Sequence, residues 1–442
     1  MINNFYNKCS KGVWGNMRCK LQEMLKKSFV RNVIIMVTGT AAAQAISMLL
    51  SPVITRLYGP EAYGIMGAFI ALVAILAPIA SLTYPIAIVL PKSDSEAIGI
   101  IRLSLTISTM IAVIVFLILF VFYQSVINIF NLNEVGGFLY LIPVTIFFAG
   151  ILQVTEQWLI RMKQFKVSAR ATFVQALITQ GSIVSVGFFY PIPSILVIIQ
   201  SLREGLKAYL MLLFVKKEGK QLFKINKEFS IKTLLKKYYD FPFFRAPEVF
   251  LNALSQSLPI LMLTSFFGPA SAGFYTICKT VLNMPAQLIG KSVGDVFYPR
   301  VAEAANNNEN ITRLISKATI SLAIIGIFPF GIVIIYGPWL FSLVFGSDWL
   351  GAGEYARWIA LWSFFALLNL PSVKSLPVLS AQAFQLKYTI FMLIIRIVML
   401  GIGYYVFNSD KIAIALFGIS GALLNFGLIL ITLSISKKYD EN

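Results

Sequence analysis

Cationic side chains interrupt the apolar segments of this chain, and their chemistry is that of anion binding. Lys279 and Lys291 both fall within 268–300, GPASAGFYTICKTVLNMPAQLIGKSVGDVFYPR. A lysine at bilayer depth costs about 2.5–3.5 kcal/mol on insertion scales, so such residues are usually retained for a function. Further cations lie in other apolar segments: Arg203, Lys207, Arg245, Lys374 and Arg396. Because cations outnumber carboxylates there, the sequence predicts a cavity that binds an anionic group such as phosphate or pyrophosphate.

The two lysines of 268–300 are not equivalent. Asp295 follows Lys291 at the i,i+4 spacing, so these side chains can form an ion pair on one helix, whereas Lys279 has no carboxylate at that spacing. Lys279 is therefore the main candidate for an anion contact, and the alternative is that its ammonium extends to the membrane surface. Carboxylates also lie within apolar segments, and three of them are candidates for ion coupling: Glu156, Glu248 and Asp295.

The residue types exclude several kinds of site. The chain has no histidine and three cysteines, so an imidazole base, a histidine triad and an imidazole metal ligand are all absent. Cys9 and Cys19 lie in a basic tail and Cys278 in an apolar segment, which matches neither a disulfide framework nor a zinc site. No polar stretch is long enough for a separate nucleotide-binding or catalytic domain. We therefore expect no cofactor, no metal and no enzymatic activity.

The composition is that of a membrane protein. Hydrophobic residues make up 58% of the 442 residues and charged residues 13%, which is more apolar surface than a soluble core of this size can bury. About 20 apolar residues cross the hydrocarbon core as a helix. Twelve spans are predicted on this basis: 33–55, 64–90, 98–123, 138–160, 171–190, 193–215, 241–267, 272–299, 317–337, 354–384, 386–407 and 412–435.

The distribution of Lys and Arg orients these spans. With the N-terminus inside, the outside segments hold only Arg56 and Lys411, and the inside segments hold nearly all other basic residues between spans. Positive residues favour the cytoplasmic side, which explains the net charge of +18 without a nucleic acid partner. Both termini are predicted to be cytoplasmic. The predicted organisation is a basic tail 1–32, a six-helix lobe 33–215, a basic cytoplasmic linker 216–240, a second six-helix lobe 241–436 and a cytoplasmic tail 437–442.

An internal repeat relates the two lobes. ITRLYGPEAYGIMGAF (54–69) aligns with LTSFFGPASAGFYTIC (263–278), so that Gly59-Pro60 matches Gly268-Pro269 and Gly64 matches Gly273. Gly-Pro turns are common between helices, but several matches in one order favour a duplication. Six spans are an even number, so both halves enter the membrane in the same direction and the cavity is expected between them. Prolines at matched depths in spans 2 and 8 are expected to bend both helices alike.

Polar residues of spans 1, 7 and 8 are the predicted lining of the cavity. At 100° per residue, the polar residues of span 1 fall within about 80° of the helix surface. The predicted lining residues are Thr40, Gln44, Ser47 and Ser51 of span 1, Asn252, Ser255 and Gln256 of span 7, and Asn283 and Gln287 of span 8. Small polar residues also pack helices against one another, so both interpretations of the span 1 stripe stay open.

The segment GPASAGFYTICKTVLNMPAQLIGKSVGDVFYPRVAEA (268–304) resembles the signature helix of the polysaccharide-export branch of the multidrug/oligosaccharidyl-lipid/polysaccharide (MOP) exporter superfamily. Further similar motifs are RLYGPEAYG (56–64), EQWLIRMKQFKVSARATFVQ (156–175) and GPWLFSLVFGSDWLGAGEYARWIAL (337–361). The resemblance covers nearly the whole chain. It implies an all-α polytopic membrane protein with a MATE-like fold, in which twelve transmembrane helices form two six-helix lobes related by a parallel pseudo-two-fold repeat.

The function implied by the resemblance is that of a Wzx-type flippase. Such proteins move undecaprenyl-pyrophosphate-linked oligosaccharide repeat units across the bacterial cytoplasmic (inner) membrane for O-antigen, capsule or related polysaccharides. The implied partners of a monomeric protein are the lipid-linked oligosaccharide, membrane lipids and the polymerase and glycosyltransferase machinery. Lys279 lies in the matching motif helix, and no motif places the other cations.

Three other functions are considered. An ion-coupled drug/cation antiporter of the same superfamily would need deep carboxylates in the first lobe, and spans 1–3 have none. A major-facilitator transporter would carry a glycine/aspartate/arginine motif that is missing from 91–99, PKSDSEAIG. A membrane enzyme such as a sugar polymerase is disfavoured by the lack of histidine and of a large outer loop.

Overall fold

The computed structural model describes residues 28–130, 133, 136–217, 229–307 and 309–441, and within them the side chains outside 28–35, 37, 129–130, 217 and 284–296. The regular structure of these residues is helical throughout. The α-helices are α1 (Ser28–Leu76), α2 (Asp94–Phe130), α3 (Ile142–Arg161), α4 (Phe165–Gly187), α5 (Pro193–Lys217), α6 (Ile231–Lys237), α7 (Ala246–Phe267), α8 (Pro269–Asn306), α9 (Ile311–Phe345), α10 (Leu350–Leu368), α11 (Leu370–Ser375), α12 (Gln382–Tyr405) and α13 (Asp410–Glu441).

Helices occupy the positions of the predicted spans, and the predicted fold class is confirmed. Spans 1 and 2 are the parts of α1 before and after Gly59, and span 10 consists of α10 and α11. Within the described residues, eight helical segments are long and apolar enough to cross a membrane. We call α1–α5 the first lobe and α7–α13 the second lobe. The boundaries of the lobes as residue ranges stay a prediction, and most of the tail 1–32 and of the linker 216–240 lies outside the described residues.

The Gly-Pro motif takes the same backbone conformation in both halves of the repeat. Gly59 has φ 68° and ψ 175°, and Gly268 has φ 89° and ψ 176°. Only glycine adopts this region without strain, because it has no Cβ. Each glycine turns the chain from one span into the next, and the proline that follows it begins the new helix, where its missing N–H costs nothing. The aligned motifs therefore have equivalent structural roles.

The two lobes cross at the second pair of repeated glycines. An ideal Cβ on Gly64 would lie 1.7 Å from the carbonyl oxygen of Pro269, and one on Gly273 would lie 2.0 Å from that of Pro60. Each half thus presents its glycine to the proline of the other half. This reciprocal contact is what a pseudo-two-fold axis between α1 and α8 requires, so the predicted repeat is confirmed in three dimensions.

The prolines of spans 2 and 8 do not act alike. In the first lobe α1 ends at Leu76, ahead of Pro78, and two short 3-10 helices follow at Ala77–Ile79 and Tyr84–Val89. Thr83 between them is left-handed, with φ 60°. In the second lobe α8 continues as a helix through position 285 to Asn306. The first-lobe prolines thus begin new 3-10 turns, whereas the backbone of α8 stays helical past position 285. The expected equal bend of the two helices stays a prediction.

One end of the cleft between the lobes is sealed. The indole Nε1 of Trp349 donates to the carbonyl of Thr55 at 3.1 Å, and its ring meets Tyr63 edge to face, with centroids 5.4 Å apart. Beside it, Nη2 of Arg56 donates to the carbonyl of Leu343 at 2.8 Å. These bonds join span 1 to the end of span 9 and its following turn. They hold the lobes together at the end that contains the Gly-Pro motifs.

The linker helix α6 is docked on the first lobe at the opposite end. Leu234 is buried against Gly99, and the Glu96 carboxylate accepts hydrogen bonds from Lys237 Nζ and from the Tyr238 hydroxyl. The bond to Glu96 raises the pKa of Lys237 above its ordinary value. After α6 the chain passes through a π-helical turn, Phe241–Arg245, before α7 begins. The part of the linker that the structure describes therefore packs on the first lobe.

Candidate functional site

A polar cavity lies inside the first lobe, between α1, α4 and α5. Its volume is about 240 Å³. The span 1 stripe forms one wall, with Thr40, Gln44 and Ser47 among the lining residues. Ser51, one turn further along α1, is buried and does not line the cavity. The first half of the stripe therefore lines a cavity, and its second half is buried in helix packing.

Helix α4 supplies a second polar wall. Thr172, Gln175, Thr179 and Gln180 line the cavity, and the first three follow each other at spacings of three and four, which places them on one helix face. Gln175 Nε2 donates to Thr179 Oγ1 at 2.8 Å, and both side chains are nearly fully buried. Gly39 allows the close approach of α1 and α4, because an ideal Cβ there would lie 2.6 Å from Cβ of Ala169.

Helix α5 carries the charges of the cavity. Gln200, Arg203 and Lys207 line it from one face of this helix. Lys207 Nζ lies 2.7 Å from Oε1 of Glu156 on α3, and the two side chains are 21% and 35% exposed. Arg203 forms no ion pair with any residue that the structure describes. The cavity therefore holds one neutralised and one available cation, close to the middle of α4 and α5.

A second cavity of about 360 Å³ lies on the other side of α5. Its walls are mostly apolar residues of α1 and α3, and Gln153, Glu156 and Glu204 are its polar members. Gln153 Nε2 donates to the carbonyl of Ala77 at 2.7 Å, where α1 ends. Glu156 thus lies between the two cavities. Its carboxylate is at once the partner of Lys207 and part of the second cavity.

The predicted polar residues of α7 and α8 with described side chains are exposed or half-buried. Asn252 and Gln256 are exposed, and Ser255, Lys279 and Asn283 are half-buried. Exposed amides within a membrane span face water rather than lipid, because lipid cannot satisfy their hydrogen bonds. Lys279 Nζ donates to the carbonyl of Gln256 at 2.7 Å, which places its ammonium between α7 and α8. It has no carboxylate partner among the described residues.

The remaining predicted cations are dispersed. Arg245 Nη1 pairs with Oε2 of Glu248 at 2.8 Å, and both side chains are exposed. Lys374 on α11 is exposed, and no bond to a described residue holds it. Arg396 on α12 lies inside the second lobe, 4.7 Å from the ring centroid of Trp362 and 5.8 Å from that of Phe417, a cation–π arrangement. The predicted cations with described side chains do not form one cluster.

Three predicted site residues lie outside the described side chains. They are Gln287, Lys291 and Asp295, all in the second half of α8. Their roles and the predicted Lys291–Asp295 pair stay predictions.

The structure adds cavity residues that the sequence reasoning missed: Thr172, Gln175, Thr179, Gln180 and Gln200. The polar spacing of three and four on α4 is the signal that could have found the first three. Gln200 is one turn from Arg203 and could have been found from that cation. Together with α1 they make an amide-rich and hydroxyl-rich cavity at mid-depth of the first lobe.

Comparisons with known proteins address the fold and the family. A family model described as a polysaccharide biosynthesis protein matches residues 53–354. A sequence comparison with curated proteins gave no match.

Solved structures with a similar fold cover nearly the whole chain. The lipid II flippase MurJ in an inward closed conformation has a TM-score of 0.69 and 14% identity, over 92% of this chain and 90% of that one. A multidrug resistance MATE family transporter of the MOP superfamily has, in an inward-facing conformation, a TM-score of 0.67 and 13% identity over 92% of this chain and 99% of that one. An outward-facing structure with the same description has a TM-score of 0.56 and 15% identity over 94% and 97%. At these identities the likeness concerns the fold alone.

The match to the family model extends over more than half of the chain, from span 1 to the start of α10, and includes both Gly-Pro motifs and Lys279. The helices around it form the two-lobed fold of the MOP transporters. This multi-pass membrane protein therefore belongs to the polysaccharide biosynthesis protein family.

Proposed function

We propose that this protein is a flippase that moves undecaprenyl-pyrophosphate-linked oligosaccharide repeat units across the bacterial cytoplasmic membrane, for O-antigen, capsule or a related surface polysaccharide. The observation that carries the proposal is a polar cavity with an available cation at mid-depth, in a two-lobed transporter fold of a polysaccharide biosynthesis family. Transporters of this type bind near the midplane and alternate access by rocking the lobes. The polyprenyl tail stays in the lipid.

The cations without carboxylate partners are the proposed contacts of the pyrophosphate. Lys279 is the first of them, because its only described partner is a carbonyl. Lys207 and Arg245 are less available, because each is held by a carboxylate at 2.7 Å and 2.8 Å respectively. Arg203 has no ion pair with a described residue, but it lines the amide-rich cavity of the first lobe.

The proposed orientation places the loops 91–102 and 161–170 and the linker in the cytoplasm. The sealed end at Trp349 is then the outer end. Transport would be driven by an ion gradient or the membrane potential. One charge moved through 100 mV supplies about 2.3 kcal/mol.

The proposal is tested with purified protein in liposomes that contain the undecaprenyl-pyrophosphate-linked repeat unit of the host. A membrane-impermeant lectin reports the fraction of sugars on the outer leaflet. We expect this fraction to rise with time in proteoliposomes and to stay constant in protein-free liposomes. An equal, slow exposure in both preparations would contradict the proposed function.

The role of Lys279 is tested in a strain that depends on this gene. We expect Lys279→Ala to reduce surface polysaccharide by tenfold or more and to accumulate unflipped lipid-linked units. Lys92→Ala, in an exposed loop, is the matched control and should leave the polysaccharide unchanged. Normal polysaccharide at matched protein level in the Lys279→Ala strain would remove this residue from the site.

A drug/cation antiporter is the second candidate function. Spans 1–3 lack carboxylates, but Glu156 and Glu204 of α3 and α5 line the second cavity of the first lobe. Carboxylates in that position can bind an organic cation. Expression of the protein in a drug-sensitive strain tests this function, and it predicts a raised tolerance to cationic drugs that Glu156→Gln abolishes.

A further inference from the structure

The first-lobe cavity is lined mainly by neutral hydrogen-bonding groups. Four glutamines and four hydroxyl residues face it, against two basic residues, and no aromatic residue is among them. One of the two basic residues, Lys207, is neutralised by Glu156. A dianionic pyrophosphate is bound best by several free cations or a bidentate arginine pair. The lining therefore offers few free charges to a pyrophosphate and many hydrogen-bonding partners to hydroxyl groups.

Amide and hydroxyl side chains both donate and accept hydrogen bonds, as sugar hydroxyls do. Arg203 adds N–H donors in a fixed plane. Gln180 and Gln200 have no hydrogen bond to an oxygen or nitrogen of a described residue, so their amides are free for a ligand. At about 30 Å³ for each water molecule, the 240 Å³ of the cavity corresponds to about eight waters. This volume suits a single sugar ring rather than a whole repeat unit.

We infer that this cavity, lined by Gln180, Gln200 and Arg203 among others, is the glycan subsite of the transporter and binds one sugar ring of the lipid-linked oligosaccharide by its hydroxyl groups. The inference rests on the proposed function and makes it more specific. Lys279 lies on the other lobe and outside this cavity. The sugar and the pyrophosphate are then held by different lobes.

The placement within one lobe has a mechanical consequence for the bound sugar. Every lining residue that the structure describes belongs to α1, α4 or α5, so the shape of the cavity is kept when the lobes rock as rigid bodies. The sugar is carried with the first lobe, and the identity of the amides around it selects which sugar is accepted.

The test compares two probes on the same purified protein in nanodiscs: undecaprenyl pyrophosphate without sugar, and the undecaprenyl-pyrophosphate-linked repeat unit of the host. The loss of one hydrogen bond changes affinity by about three- to tenfold. Gln180→Ala and Gln200→Ala are expected to weaken binding of the glycosylated lipid by this factor, with binding of the bare pyrophosphate lipid unchanged. Gln382→Ala, at an exposed position of the second lobe, is the control and should bind both probes like the wild type.

The outcomes separate this inference from the proposed function. If Gln180→Ala and Gln200→Ala weaken both probes equally, the cavity binds the pyrophosphate and the glycan subsite is overturned. If neither variant changes binding of the glycosylated lipid to a protein that does bind it, the subsite is overturned and the proposed function stands. If the wild-type protein binds neither probe, the proposed function fails and the subsite fails with it.

Discussion

The Lys207–Glu156 pair determines which cations of the first lobe are free for a ligand. The two atoms are 2.7 Å apart and both side chains are largely buried. Removing one partner of such a pair leaves a charge in a low-dielectric surrounding without compensation. The pair therefore stabilises the fold of the first lobe at the same time as it removes Lys207 from anion binding.

At the residue scale we predict that the two charges depend on each other for stability. Glu156→Gln should lower the unfolding free energy by about 1–3 kcal/mol, because it leaves Lys207 unpaired. The double variant Glu156→Gln with Lys207→Met should recover most of this loss, since no uncompensated charge remains. Thermal unfolding of the purified protein in detergent measures both effects. A double variant as unstable as the sum of the two single variants would contradict the pairing.

The residue scale is also where the sequence is least informative. Lys207 and Glu156 are 51 residues apart, and no spacing rule brings them together. The polar residues of α4 are embedded among apolar ones, so their pattern is equally typical of helix packing. The lysines of 268–300 stand out in the sequence because a charge in an apolar segment is rare, whereas a neutral amide such as Gln180 is also found in helix packing and gives no comparable signal.

At the scale of elements, the crossing of α1 and α8 depends on the absence of two side chains. The ideal Cβ positions at Gly64 and Gly273 are 1.7 Å and 2.0 Å from carbonyl oxygens of the opposite lobe, and backbone atoms cannot yield as a side chain does. The helices must separate to accept any larger residue. This crossing could be anticipated from the sequence, because both glycines recur at matching positions of the repeat.

We predict that Gly64→Ala and Gly273→Ala each destabilise the protein by about 1–3 kcal/mol through overpacking. Gly181→Ala is the matched control, because an added Cβ at this helical position meets nothing within 4 Å. It should be neutral or slightly stabilising, since alanine is the better helix former. Unfolding midpoints of the three variants provide the measurement, and equal midpoints for Gly64→Ala and Gly181→Ala would contradict the close crossing.

At the scale of the whole molecule, the lobes are joined at the sealed end by few polar bonds. The Trp349 indole bond to Thr55 and the Arg56 bond to Leu343 are the polar ones described there. A single hydrogen bond is worth about 1 kcal/mol, which is a small bias between two arrangements of rigid lobes. A small free-energy difference between the two arrangements suits a transporter that must open at both ends.

We predict that Trp349→Phe shifts this equilibrium toward opening of the sealed end. An aromatic ring is kept, but the indole N–H bond to Thr55 and part of the buried ring contact are lost. The population of the open arrangement should therefore rise by about fivefold or more. Spin labels on Glu61→Cys and Asp348→Cys, both at exposed positions, measure the distance across the seal. An unchanged distance distribution would show that the indole bond does not hold the lobes. Leu350→Ala, exposed next to the seal, is the control and should leave the distribution as in the wild type.

The reciprocal contact between the two Gly-Pro motifs also bears on how this protein arose. Gly64 meets Pro269 as Gly273 meets Pro60, so the same surface patch is used on both sides, as in the isologous interface of a symmetric homodimer. A separate six-helix half with this patch would pair with its own copy. A half with an even number of spans begins and ends on the same side of the membrane, so both copies would already share one orientation. Gene fusion would then need only a connecting segment, and the later divergence of the halves would leave the amide-lined cavity in one half and Lys279 in the other.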